Sequence, residues 1–218
     1  MRLPCRLVLF ASALAMLLPR GGWAADTGSR SPATQEAAAE FPARLFGLGT
    51  QEVGMVVGYG FPIRIGGTRD EELREIQYIY AAPQWGIGIT HPIGGDSWWR
   101  GNFELVLEGT FIGNFEPKGG VAVGLTGLIR YNFLPDWKVI PFLEVGGGLL
   151  YVDMDFKERS DGLNFAPQAG LGLRYFISDR TAITGEWRFH HISNADTKLP
   201  NFGINSSLFL IGISIVLK

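Results

Sequence analysis

From Gln51 onward the chain alternates with a period of two. Val53, Met55, Val57, Tyr59 and Phe61 are bulky, while Gly54, Val56, Gly58 and Gly60 between them are small, as in an extended strand with two unlike faces. The pattern recurs at Phe103, Leu105, Leu107 and Phe111 against Asn102, Glu104, Glu108 and Thr110. It recurs at Val121, Val123, Leu125, Ile129, Tyr131 and Phe133 against Ala122, Gly124, Thr126, Arg130 and Asn132. Leu143, Val145, Leu149 and Tyr151 oppose Glu144, Gly146 and Gly148; Phe165, Ala169, Leu171, Leu173 and Tyr175 oppose Gln168, Gly170, Gly172 and Arg174. A seventh strand sets Ile183, Gly185, Trp187, Phe189, His191 and Ser193 against Glu186, Arg188 and His190, and an eighth runs from Asn205 to Leu217. The second segment is less regular. Ile76, Tyr78 and Tyr80 are apolar on even positions and Trp85, Ile87 and Ile89 on odd ones, which predicts a bulge near Pro83 that shifts the parity by one.

These segments are mostly longer than soluble strands usually are. A soluble sandwich would fill the second face with water-facing Lys, Thr and Ser. Here that face holds Gly, Ala, Thr and charges of both signs: Glu104, Glu108, Arg130, Glu144, Arg174, Glu186, Arg188 and His190. This suits the narrow interior of a small closed barrel, with the charge-free odd face meeting lipid. Tyr59, Trp85, Trp98, Trp99, Tyr131, Trp137, Tyr151 and Tyr175 suit interfacial girdles. The fold expected is therefore all-β, an eight-stranded antiparallel transmembrane β-barrel over residues 51–218. If the first strand rises from the periplasm, the connections at 62–75, 112–120, 154–163 and 194–204 face outward, and the short turns near Pro135 and Asp179 face inward.

Composition adds the compartment. Arg2 and Arg6 precede an apolar run from Leu7 to Leu18 and the small residues Gly22 and Ala24, the layout of a secretory signal peptide over residues 1–24. The single cysteine, Cys5, lies within it, so the mature chain would carry no thiol. Residues 25–50 read as a largely unstructured leader. A net charge of -2, with scattered basic residues, argues against a nucleic-acid partner. Gly146-Gly147-Gly148 lacks the following helix of a phosphate loop, and no His, Cys or carboxylate cluster suggests a metal, so no cofactor is expected.

Candidate chemistry sits at the end of the seventh strand. His191 and Ser193 share a face, roughly 6.6 Å apart at Cα, a gap an imidazole can bridge to activate a serine nucleophile. Ionisable groups on a lipid face are functional sites by default, although at the headgroup boundary a His and a Ser cost little. His190 has the opposite parity and belongs with the internal polar network.

His191-Ile192-Ser193-Asn194-Ala195, followed by Asn201-Phe202-Gly203, resembles the H-x-S-N-A and N-x-G pattern of the PagL family, outer-membrane lipid A 3-O-deacylases. The likeness is detailed over the last two strands and architectural elsewhere. It implies a carboxylic ester hydrolase that removes the ester-linked 3-hydroxyacyl chain at the 3-position of lipid A, with lipopolysaccharide and outer-membrane lipids as its partners. Ser193 would be the nucleophile, His191 the general base, and Asn194 and Asn201 donors to the oxyanion. The glutamate that orients the histidine in the family would fall at Asn205, where a neutral amide can hold one tautomer but cannot stabilise an imidazolium as a carboxylate does. The barrel is expected to act as a monomer or weak homodimer. Two rival readings are a non-enzymatic structural or adhesive barrel and a phospholipid esterase.

Overall fold

The computed structural model describes residues 41–63, 76–116, 119–154, 161–199 and 203–217. The strands are β1 (Gln51–Pro62), β2 (Gln77–Gly88), β3 (Gly101–Glu116), β4 (Gly120–Phe133), β5 (Val139–Met154), β6 (Gly162–Phe176), β7 (Thr181–Ile192) and β8 (Ile204–Val216). Each pairs antiparallel with its chain neighbours, and β1 pairs with β8, so the sheet closes on itself. Closure removes every sheet edge and satisfies the backbone internally, the condition for an extended chain to cross lipid. The expected eight-stranded barrel is present.

Parity decides what faces where. Odd positions such as Leu125, Val145, Leu171 and Ile211 are exposed on the outer surface, and the charged even positions are buried inside. Mid-barrel, Arg188 reaches Glu108 through both terminal nitrogens at 2.9 and 2.7 Å, lies 2.7 Å from Glu144, and bonds Glu186. Arg130 donates to Glu144 at 2.8 Å, and Arg174 bridges Glu52 and Glu104 at 3.0 and 3.1 Å. Burying one such charge alone would cost several kcal/mol, so the groups remain inside only as a mutually neutralising set. Apolar clusters cap the network at both ends. Tyr78, Tyr80, Leu150, Val152, Ile192 and Ile204 pack at the end where β1 terminates, called here the far end; Leu134, Ile140, Phe176 and Val216 pack at the other.

Two sequence expectations change. The register through Pro83 is continuous with both neighbours, and the shift in β2 falls at Gln77/Tyr78 instead. Even parity points inward throughout β2, and Tyr78 and Tyr80 are apolar because they fill the far-end core, so an apolar residue on the inner face mimicked a change of face. The long connection expected at 112–120 is short: β3 continues to Glu116 and Asn114 pairs with Gly120. Conversely, the near-end connection from Ile89 to Arg100 is long, held by a bridge between Ile93 and Gly101 and by left-handed Gly94 and Gly95.

The expected signal peptide, residues 1–24, and most of the leader lie outside the described residues. From 41 to 50 the chain is ordered by contact. A short 3-10 turn, Ala43–Leu45, buries Ala43 and Phe46 in the near-end cluster, and Phe41 and Phe46 each meet Phe176 edge-on.

Candidate active site

The expected dyad lies on the outer surface at the far end of β7, as its parity requires. Ser193 sits one residue past the last residue of β7, yet its backbone is held by paired hydrogen bonds with Phe165 of β6 at 2.7 and 3.0 Å. His191 pairs directly with Asn205 across β7 and β8, and both are half-buried. The side chains meet there: His191 Nδ1 lies 2.7 Å from Asn205 Oδ1. A carbonyl oxygen accepts only, so in this arrangement Nδ1 carries the proton and Nε2 keeps its lone pair. That is the tautomer a general base needs. No hydrogen bond joins Ser193 Oγ to the ring, and such contacts often tighten only when substrate is bound.

A residue without a side chain completes the histidine's surroundings. A Cβ built on Gly203 would lie 2.5 Å from His191 Cε1 and 3.2 Å from Nε2, so the ring occupies space that any other residue would take. Gly203 is part of the N-x-G motif, and its odd parity two residues before Asn205 was legible; its contact with the ring was not.

The chain turns sharply after Ser193. Ala195 and Asp196 both have positive φ, at 53° and 60°, a conformation that costs a non-glycine residue about 1–3 kcal/mol unless its surroundings enforce it. Asn194 enforces it. Its side-chain Nδ2 donates to Lys198 O at 2.6 Å, and its backbone carbonyl oxygen accepts from Thr197 N and Oγ1 at 3.2 and 2.8 Å. Asn194 is buried, so the side chain expected to serve the oxyanion is engaged in shaping the loop. Asn201, the other expected donor, lies outside the described residues.

On the inner side of the same strand His190 is enclosed. Its Nδ1 is 2.7 Å from Tyr78 Oη, and its ring stands edge-on to both Tyr78 and Tyr80. The adjacent histidines thus point to opposite sides of one sheet, and His190 belongs to the interior as expected.

A closed barrel with a histidine and a serine on its lipid-facing side narrows the comparison to outer-membrane enzymes. Residues 75–214 match the family model described as Lipid A 3-O-deacylase (PagL). The chain belongs to the PagL family. The solved structure of the outer membrane enzyme PagL is 20% identical, covers 74% of this chain and 97% of its own, and superimposes with a TM-score of 0.52. Neisserial surface protein A is 11% identical, with coverage of 76% and 96% and a TM-score of 0.50. At such identities these likenesses speak for the fold. No curated protein matches the chain. As a PagL-family barrel the protein is an outer-membrane lipid A 3-O-deacylase.

Proposed function

We propose that this barrel cleaves the ester-linked 3-hydroxyacyl chain at the 3-position of lipid A by a serine esterase mechanism in which Asn205 takes the place of an acid. The observation that carries the reading is the 2.7 Å contact between His191 Nδ1 and Asn205 Oδ1 on the lipid-facing surface. Ser193 Oγ attacks the ester carbonyl while His191 Nε2 accepts its proton. Collapse of the tetrahedral intermediate breaks the ester C–O bond, the sugar oxygen takes that proton, and the acyl group remains on Ser193. Water, deprotonated by the same nitrogen, then releases the 3-hydroxy acid and restores the serine.

The oxyanion needs fixed donors near Ser193. Asn194 has one amide hydrogen committed to Lys198 O and supplies the second, with Asn201 contributing from the adjoining loop. The far end faces the outer leaflet, where lipopolysaccharide is presented, and residues 1–24 direct export. A closed barrel leaves no edge for strand pairing, so one copy, or a weak homodimer, is sufficient.

The test is mass spectrometry of lipid A after incubation with the refolded barrel and with Ser193→Ala. Loss of one 3-hydroxyacyl group, abolished by the substitution while the barrel still folds, is the expected result. Equal activity in the substituted protein would overturn the assignment of Ser193. Acid released from phospholipid instead would favour a phospholipid esterase, and no release from either by a folded barrel would favour a structural role.

A further inference from the structure

The outer surface differs on the two sides of the site. Cross-strand register joins His191 to Asn205 on β8; in the other direction it runs through Pro167 on β6 to Gly147 on β5 and Gly127 on β4. Pro167 falls opposite His191 because its neighbours in the ladder are the pairs Gln168↔His190 and Phe165↔Ser193. All of these positions are odd, so the row lies on the lipid-facing side.

Glycines in this barrel have two different causes. On the inner face a Cβ at Gly124 or Gly146 would come within 2.0 Å of a backbone oxygen across the ladder, so the closed interior excludes it. At the outward Gly127 and Gly147 the nearest atom to a Cβ would be 3.8 and 3.5 Å away, an ordinary contact, and neither has a positive φ. Packing and backbone would admit a side chain at both. What its absence creates is a recess of about 520 Å³ floored by Gly147 and Pro167 and walled by Leu125, Leu149 and Phe165. A second recess of about 390 Å³ continues it past Gly127, sharing Leu125 as its wall. Phe165, a wall of the first, is the residue whose backbone holds Ser193.

Toward β8 and β1 the surface is filled. Trp187 donates through Nε1 to Ser207 Oγ at 2.5 Å, and Phe209 stacks on Phe61 with centroids 5.4 Å apart. A chain leaving Ser193 therefore finds its open path across β6 and β5.

We propose that this recess holds the acyl chain of the ester cleaved at Ser193, with Gly147 and Gly127 setting the chain length accepted; the inference rests on the esterase reading of the site. Three strand spacings separate His191 from Gly127, about 14 Å. With single C–C bonds of about 1.5 Å, that is on the order of eleven carbons of extended chain. The walls at outward positions are aliphatic and aromatic, which suits an unbranched acyl chain. Moving such a chain from lipid into the recess changes its apolar surroundings little, because lipid tails are as apolar as leucine. The recess acts by orientation instead, holding the ester against Ser193.

The test pairs activity with a readout that does not need activity. Lipid A carrying 3-hydroxydecanoyl or 3-hydroxytetradecanoyl at the 3-position is offered to the parent, Gly127→Leu, Gly147→Leu and Gly185→Leu. Gly185 is outward, away from the recess, and has nothing within 4 Å of a built Cβ. Gly127→Leu should lower kcat/KM about tenfold for the longer chain and leave the shorter within about twofold, since a few methylenes in a shaped site are worth that much. Gly147→Leu should lower both, and Gly185→Leu neither. Separately, lipid A with a diazirine at the acyl terminus is photolysed with Ser193→Ala, and the peptides are mapped; cross-links should fall on β4 and β5. An active parent whose Gly127→Leu variant treats both chains alike, or cross-links spread evenly around the barrel, would overturn the recess. An inactive parent that still cross-links on β4 and β5 would retire the esterase and retain the chain-binding surface.

Discussion

Replacing Asn205 by aspartate changes the site by one atom and one charge. Asparagine and aspartate are nearly isosteric, so a carboxylate oxygen can take the place of Oδ1, 2.7 Å from His191 Nδ1. In the ground state both residues accept from the neutral imidazole and select the same tautomer. They differ when His191 takes the serine proton and becomes cationic, because then only aspartate opposes the new charge. At about 4 Å between charge centres and an effective dielectric constant of about 20, the attraction is roughly 4 kcal/mol. Holding the carboxylate in a half-buried site offsets part of it, since burying an ion fully costs several kcal/mol. A net gain of about 1–2 kcal/mol in the transition state corresponds to a kcat raised roughly five- to thirtyfold. The converse change, Asn205→Leu, removes a hydrogen bond that becomes charge-assisted during the reaction. Losing about 1.5–3 kcal/mol there lowers kcat roughly ten- to a hundredfold. Both variants are assayed by the initial rate of 3-hydroxy acid release from lipid A, with barrel folding checked by the gel mobility of unheated and heated samples. If aspartate leaves the rate of a folded barrel unchanged, Asn205 does not face the charge that develops on His191, and the triad assignment fails.

Three further outcomes test other parts of the molecule. Gly203→Ala should displace the His191 ring, because the new Cβ would begin 2.5 Å from Cε1; kcat should fall up to about a hundredfold in a folded barrel, and an unchanged rate would show that the ring's position is not critical. Arg188→Met leaves Glu108, Glu144 and Glu186 without their shared partner, and should destabilise the barrel by about 3–5 kcal/mol in urea unfolding monitored by gel mobility; a change below about 1 kcal/mol would mean that the carboxylates neutralise one another by other means. Asn194→Ala removes the hydrogen bond to Lys198 O that holds the strained turn, and should lower kcat while leaving the unfolding free energy within about 1 kcal/mol of the parent; a fall in stability alone would make the turn a folding element.

How much of this was legible in the sequence depends on which interactions have a period. The outer face has one. Lipid permits no charge there, so odd positions stay apolar along whole strands, and strand number, closure and the outward placement of His191, Ser193 and Asn205 follow from counting alone. The inner face has none, because the interior is layered. Tyr78 and Tyr80 are apolar where the far-end core needs bulk, and Glu108 and Arg188 are charged one layer below, so the even positions of β2 misled the reading into a bulge. The contact of the Asn194 side chain was not legible either, for a different reason: its partner, Lys198 O, is a backbone atom of an irregular turn and leaves no mark in the side-chain pattern. Gly203 shows the same limit, since the feature that matters is space given to a ring on the neighbouring strand.

The two faces are nevertheless coupled at the site. His190 and His191 are consecutive, so whatever fixes one ring fixes the strand that carries the other. Tyr78 Oη holds His190 from within, Asn205 holds His191 from without, and the ladder bonds between Phe165 and Ser193 pin the next turn of the backbone. The proposed catalytic constellation lies on an open, lipid-facing surface, and the first neighbours it meets on that side are acyl chains. Its preorganisation must come from behind, from a closed sheet whose interior is packed and ion-paired. This accounts for the position of the site at the end of β7, where the interior changes from the charged layer of Arg188 to the aromatic cluster around His190. There the strand is held by ion pairs and ring contacts on its inner side, and its outer side is open.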